Sequence, residues 1–141
     1  MANARRAGES ARAKNQTVQE FIAGLRQLEA TGDGAELLRV FSKTCTISNG
    51  QMDKELEGRD GAARFWKDYR DTFRDIKSQF TRITEMPGVA VLEWTSSGTL
   101  KTGGPIYYRG VSIITLDGDE IVDFMAYFDS RHFTAHTHIS M

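Results

Sequence analysis

Acidic and histidine residues in the last third of the chain are the groups whose types and spacing suggest chemistry. Glu93 and Asp123 lie in stretches of alternating apolar and polar residues, so each points to one side or the other of a strand according to register. In one register they turn inward together with Tyr127. Two carboxylates in an aromatic hollow would then be acid–base candidates, because burial raises a carboxylate pKa toward neutrality. In the other register, which is the one expected, they face outward. Asp129 follows the last alternating stretch, where a short carboxylate accepts backbone amides as a cap, and catalysis is the less favoured role for it. His132, His136 and His138 form a loose group. On a helix His132 and His136 would share a face and could hold a metal, but no third ligand is evident, so no metal site is expected. The four weak catalytic candidates are thus Glu93, Asp123, Asp129 and His132. Cys45 has no neighbouring histidine or lysine to lower its pKa and reads as a small buried hydrophobe. Ser, His and Asp occur without a nucleophile elbow, and there is no phosphate-binding loop or dinucleotide fingerprint, so no cofactor is implied.

The elements that must position such groups follow from periodicity. Thr17-Val18-Gln19-Glu20 has the form of a capping box, and Val18, Phe21, Ile22, Leu25 and Leu28 follow at helical spacing up to Gly32-Asp33-Gly34. A short second helix is expected to bury Leu37, Leu38 and Phe41. Thr44 to Asn49 reads as a short strand, and the polar stretch 50–58 as a mobile loop. Asp60 looks like an N-cap for a third helix, whose stripe would be Ala62, Phe65, Trp66, Tyr69 and Phe73. Four strands follow: 77–85 up to Pro87-Gly88, 89–99 with a bulge or bend at Gly98, 106–116 up to Asp117-Gly118, and 120–129. Short turns between consecutive strands imply an antiparallel meander, and helices before strands imply an α+β domain.

The totals agree with one domain. The chain has 141 residues, 40% hydrophobic and 26% charged. That is enough to bury roughly two thirds of the unfolded surface without a disulfide or metal. With one cysteine no internal disulfide forms, which suits a reducing compartment. Residues 1–14 hold Arg5, Arg6, Arg12 and Lys14 against Glu9 and read as a flexible basic arm, leaving residues 15–141 as the domain. The net charge of −1 gives no electrostatic footprint for nucleic acid. No apolar run reaches the ~20 residues that cross a bilayer, and no apolar core follows the N-terminal arginines. The expectation is a cytoplasmic protein with no nucleic-acid or membrane partner.

Three pieces resemble the SnoaL-like family of the nuclear transport factor 2-like superfamily. They are Gly32-Asp33 with Leu37, Leu38 and Phe41 leading into the first strand; Glu57-Gly58-Arg59-Asp60-Gly61 before the Phe65-Trp66 helix; and Gly118-Asp119-Glu120-Ile121-Val122 running into Tyr127-Phe128-Asp129. The resemblance covers about residues 17–133. It implies a cone-shaped α+β barrel, with helices in the concave face of a strongly curved, mainly antiparallel sheet, a pocket between them, and a homodimer formed through the outer sheet face. It does not imply one reaction, because the superfamily includes isomerases, dehydratases, epoxide hydrolases, cyclases and proteins without catalysis. Ketosteroid isomerases would place their base at Asn49, their oxyanion tyrosine at Leu25 and its acidic partner near Ser112. Limonene epoxide hydrolases would place their catalytic groups at Trp94, Ser96 and Ala126, and their water-holding groups at Ile47 and Asn49. Only Asn49 matches either pattern.

If register follows the resemblance, Leu92, Trp94 and Ser96 face the pocket from one strand, and Phe124, Ala126 and Phe128 from the last. The expected ligand-binding residues are then Asn49, Trp66, Tyr69, Trp94, Ser96, Phe124 and Phe128, an aromatic lining with few polar groups. The function expected is a cofactor-independent cyclase, isomerase or dehydratase acting on an apolar, polyketide- or terpenoid-like molecule. The alternatives are a non-catalytic module for an apolar ligand and a dimeric interaction domain.

Overall fold

The computed structural model describes residues 10–133. Helix α1 (Gln16–Thr31) and the short α2 (Ala35–Arg39) precede β1 (Phe41–Asn49), β2 (Leu56–Glu57) and α3 (Gly58–Asp71). The remainder is a meander of β3 (Phe73–Met86), β4 (Val89–Leu100), β5 (Pro105–Asp117) and β6 (Glu120–Phe128). The six strands form one curled, open sheet in the order β2-β1-β6-β5-β4-β3. All neighbours run antiparallel except β1 and β6, which are parallel. This is the expected α+β architecture: α1 packs on β3 and α3 on β1, so the two longer helices occupy the concave side.

Several local expectations are corrected. The N-cap of α1 is Asn15, whose Oδ1 accepts the Val18 amide at 3.0 Å. Thr17 lies inside the helix, buried, and its hydroxyl donates to the Asp119 carbonyl. The helix ends where expected, at Gly32 in the left-handed region (φ 86°), whose amide returns to the Leu28 carbonyl. For α3 the cap position is Glu57, without a side-chain cap bond, and Asp60 sits in the first turn. The stretch 50–58 is not wholly a loop: Leu56 and Glu57 pair with Ile47 and Thr46 of β1. The first strand begins at Phe41, and Phe73 opens β3 instead of closing α3. Gly98 pairs regularly with Ile76, and the irregularities fall in β3, between Phe73 and Asp75 and between Phe80 and Arg82. Part of the expected arm is held to the sheet: the Ala11 amide donates to the Phe80 carbonyl, and the Lys14 and Asn15 amides donate to the Glu85 carboxylate. Residues 1–9 lie outside the described residues.

The core fills the space between helices and sheet. Phe21, Leu25 and Leu28 of α1 meet Phe41 and Ile47 of β1, Phe80 of β3, Leu92 of β4, Ile114 of β5 and Phe124 of β6, all buried. Cys45 is fully buried there and its thiol donates to the Gly58 carbonyl; burial pushes its pKa up. Among the described residues, no helix is long and apolar enough to cross a membrane.

Candidate functional site

Strand parity settles what faces the concave side. Leu92, Trp94 and Ser96 alternate inward on β4, and Phe124 and Ala126 do so on β6, all buried. Glu93, one residue away, is on the outer face 3.7 Å from the Arg82 guanidinium. Asp123 is also on the outer face and accepts a hydrogen bond from Thr46. Tyr127 is half exposed. The inward-facing carboxylate pair of the alternative register is therefore not formed.

Between helices and sheet lies a cavity of about 440 Å³, within the range usual for small-molecule sites. The seven residues expected to face a pocket, Asn49, Trp66, Tyr69, Trp94, Ser96, Phe124 and Phe128, all line it. The wall is built of two groups of rings. Phe65 and Phe124 approach Trp66 edge-on at 5.0 and 5.2 Å, while Trp94 and Phe133 approach Tyr108 at 5.3 and 4.8 Å. Tyr69 joins the groups, 5.6 Å from Trp66 and 5.5 Å from Phe73. Gln51, Asp68 and Thr72 line the same space but are exposed, so they mark its rim beside the end of α3.

Trp94 is held by two features. Its indole Nε1 donates to Ser112 Oγ at 2.9 Å, satisfying a buried polar group that would otherwise be costly. Its ring lies where β5 has Gly110: a Cβ there would come within 2.6 Å of Trp94 Cζ2 and 2.3 Å of the Tyr127 carbonyl oxygen. Only glycine lets the indole lie over that strand.

The polar floor is the feature that sequence reasoning missed. Glu29 of α1 is 5% exposed and is the only buried charged residue among those described. Its Oε1 accepts the Ser78 amide at 2.9 Å, and its Oε2 accepts both Ser78 Oγ–H and Tyr69 Oη–H at 2.6 Å. Ser78 Oγ is in turn 2.6 Å from Ser96 Oγ. Tyr69, Ser78 and Ser96 line the cavity, so the carboxylate is one hydroxyl removed from it. Burial, followed by the charge of Glu29, holds the Tyr69 and Tyr108 hydroxyls protonated well above the ordinary tyrosine range. The signal was present in the helix period: Val18, Ile22, Leu25 and position 29 fall on one face, so an acid at 29 is an acid on the buried stripe.

None of the four weak catalytic candidates lines the cavity. Glu93 and Asp123 are on the outer face. Asp129 caps the chain after β6, accepting the Arg131 amide at 3.0 Å and gripping its guanidinium, which lowers the carboxyl pKa to about 2. His132 follows that cap, and His136 and His138 lie outside the described residues. Among the described residues no group of three or more His, Cys, Asp or Glu is arranged to hold a metal.

The sequence profile of the SnoaL-like domain matches residues 18–124. The chain belongs to the SnoaL-like domain family. No curated protein sequence matches it. Solved structures share the fold at low identity. An NTF2-like protein from Anabaena variabilis is 21% identical, with 83% of this chain and 90% of that one covered and a TM-score of 0.75. A Catenulispora acidiphila protein with a ketosteroid isomerase-like fold, solved with trimethylamine, is 13% identical over 86% and 94%, with a TM-score of 0.74. A candidate SnoaL-like polyketide cyclase from Jannaschia sp. is 12% identical over 92% and 100%, with a TM-score of 0.73. In this SnoaL-like chain Leu25, Asn49, Trp94, Ser96, Ser112 and Ala126 all line the cavity.

Proposed function

We propose that the chain binds a small, mainly apolar, ring-bearing molecule in this cavity and transforms it as a cofactor-independent enzyme of the cyclase, isomerase or dehydratase kind. The observation that supports this reading is a roomy aromatic cavity with a buried carboxylate, Glu29, at its floor. The rings supply apolar contact and orientation. Glu29 supplies an ionisable group, reached from the cavity through the Tyr69 and Ser78 hydroxyls, and proton exchange with a bound molecule through one of them is chemistry this site can do. Folds of this kind host many reactions, so the reading rests on the site and not on the neighbours.

A second reading, a carrier or sensor of an apolar ligand, is favoured by Asn49, Ser112 and Ala126, which stand where related enzymes keep acids. One experiment separates the two. Polyketide- and terpenoid-like compounds are screened for thermal stabilisation of the chain, and each one that binds is incubated and followed by mass spectrometry. The enzyme reading expects at least one binder to be converted by the native chain and not by Glu29→Gln. Stabilisation without product across all binders would select the carrier.

The outer face of the sheet supports a homodimer. Val91, Ile113 and Met125 lie in one apolar cross-strand row, and Val111 and Tyr127 lie beside Glu93 in the next, on a partly exposed surface.

A further inference from the structure

The hydrogens on the cavity floor all run in one direction. As a carboxylate, Glu29 offers acceptors only. Ser78 has one hydroxyl proton and gives it to Glu29 Oε2. The 2.6 Å contact between Ser78 and Ser96 therefore has Ser96 as its donor. Ser96, its proton committed, can then only accept. Tyr69 is committed in the same way, with its proton on Glu29. Tyr69, Ser78 and Ser96 thus have their protons committed along the row and are left only to accept. Ser112 differs: it accepts from Trp94 and keeps its own proton free, across the cavity wall.

From this we infer that the floor at Tyr69 and Ser96 recognises a hydroxyl donor, so that the molecule bound is a phenol, enol or alcohol presenting an O–H to it, and that Glu29 sets this preference from behind by fixing the direction of the hydroxyl row. The inference rests on the cavity being a small-molecule site and names the class of ligand that site takes. A ring carrying an ether or carbonyl oxygen in the same place would set lone pair against lone pair.

The test uses three probes of one ring system: 2-naphthol, 2-methoxynaphthalene and naphthalene, titrated against the full chain by tryptophan fluorescence and calorimetry. Naphthalene is the most apolar, so partitioning alone would not favour 2-naphthol. The expected result is 2-naphthol tighter than either of the others by about tenfold, the yield of one well-made hydrogen bond near a charged group. In Ser96→Ala the row is cut at the cavity, and the three affinities draw together. In Glu29→Gln the amide oxygen stays with the Ser78 amide, and the NH₂ now donates to Ser78 Oγ. Ser78 then donates to Ser96, whose proton turns outward, and the preference shifts toward 2-methoxynaphthalene. A carboxylate with a merely structural role would weaken all three probes together without reversing their order. If Glu29→Gln does not fold, judged by circular dichroism, the wild-type and Ser96→Ala ratios decide alone. Equal affinities for all three in the native chain would overturn the hydroxyl preference and leave the cavity reading standing. No binding of any would overturn the cavity reading, and this inference with it.

Discussion

Replacing Ala126 by leucine distinguishes a hollow from a solid core by the sign of a stability change. Ala126 lies on β6 between Ser112 of β5 and Asn49 of β1, and its methyl group faces the cavity. Leucine adds three carbons, each giving about 0.8 kcal/mol if it moves from water into apolar surroundings. Freezing the longer side chain costs roughly 0.5–1 kcal/mol. With space available, the net effect is a gain of about 1–2 kcal/mol. Without it, overpacking costs about 1–3 kcal/mol. The two cases differ in sign, which urea unfolding followed by tryptophan fluorescence reads directly, provided the slope with denaturant is unchanged. In a thermal scan the gain appears as a rise of about 2–4 °C for each kcal/mol. Ala62→Leu is the internal control. Ala62 is fully buried on α3 and does not line the cavity, so the same substitution there destabilises. The Ala126→Leu chain should also bind 2-naphthol about tenfold more weakly, because the added carbons occupy the ligand's space. A destabilised Ala126→Leu, alongside a similarly destabilised Ala62→Leu, would refute the reasoning.

Further outcomes follow from the same contacts. Gly110→Ala drives a methyl group into the Trp94 ring and the Tyr127 carbonyl; it should cost about 1–3 kcal/mol in urea unfolding and shift the indole emission as the Ser112 bond is lost. Cys45 should not react with Ellman's reagent in the native chain and should react fully in urea, since burial raises its pKa. Tyr69 and Tyr108 hold their protons more tightly in the folded chain than the ordinary value of 10. Their contribution to stability is therefore complete below about pH 10 and is lost as pH rises above it, because the unfolded state releases its protons first. Absorbance titration at 295 nm should show late-ionising tyrosines, one fewer in each of Tyr69→Phe and Tyr108→Phe. Sedimentation should find a dimer, converted to monomer by a charge placed in the outer strip, as in Tyr127→Glu; a native monomer would refute the dimer proposal.

The sheet meander, the α1 end at Gly32 and the inward set on β4 and β6 were legible because they depend on short-range rules: period, turn glycines and alternation. Alternation also sent Glu93 and Asp123 outward. What failed were boundaries decided by tertiary partners. Asn15 caps α1 although Thr17 has the better local pattern, because Thr17 is drawn into the interior toward the Asp119 carbonyl. Phe73 fits the stripe of α3 but leaves it to pair with Leu100. Residues 11–14 look like free tail by composition and are held by amides that find partners only on β3. The floor of the cavity was harder still. Glu29 was visible as an acid on an apolar face, yet its partners Tyr69 and Ser78, and Ser96 behind Ser78, come from three different elements, and nothing in the linear order pairs them. The ring wall was readable residue by residue; the buried carboxylate behind it required coordinates.

The most direct measurement is diffraction from crystals of the chain soaked with 2-bromonaphthalene, collected at the bromine edge. An anomalous peak in the space bounded by Trp66, Trp94, Phe124 and Phe128, with those side chains where they now stand, is the result expected. A cavity found filled by its own side chains, or bromine bound only on the outer surface, would contradict the claim that this fold encloses a small-molecule site.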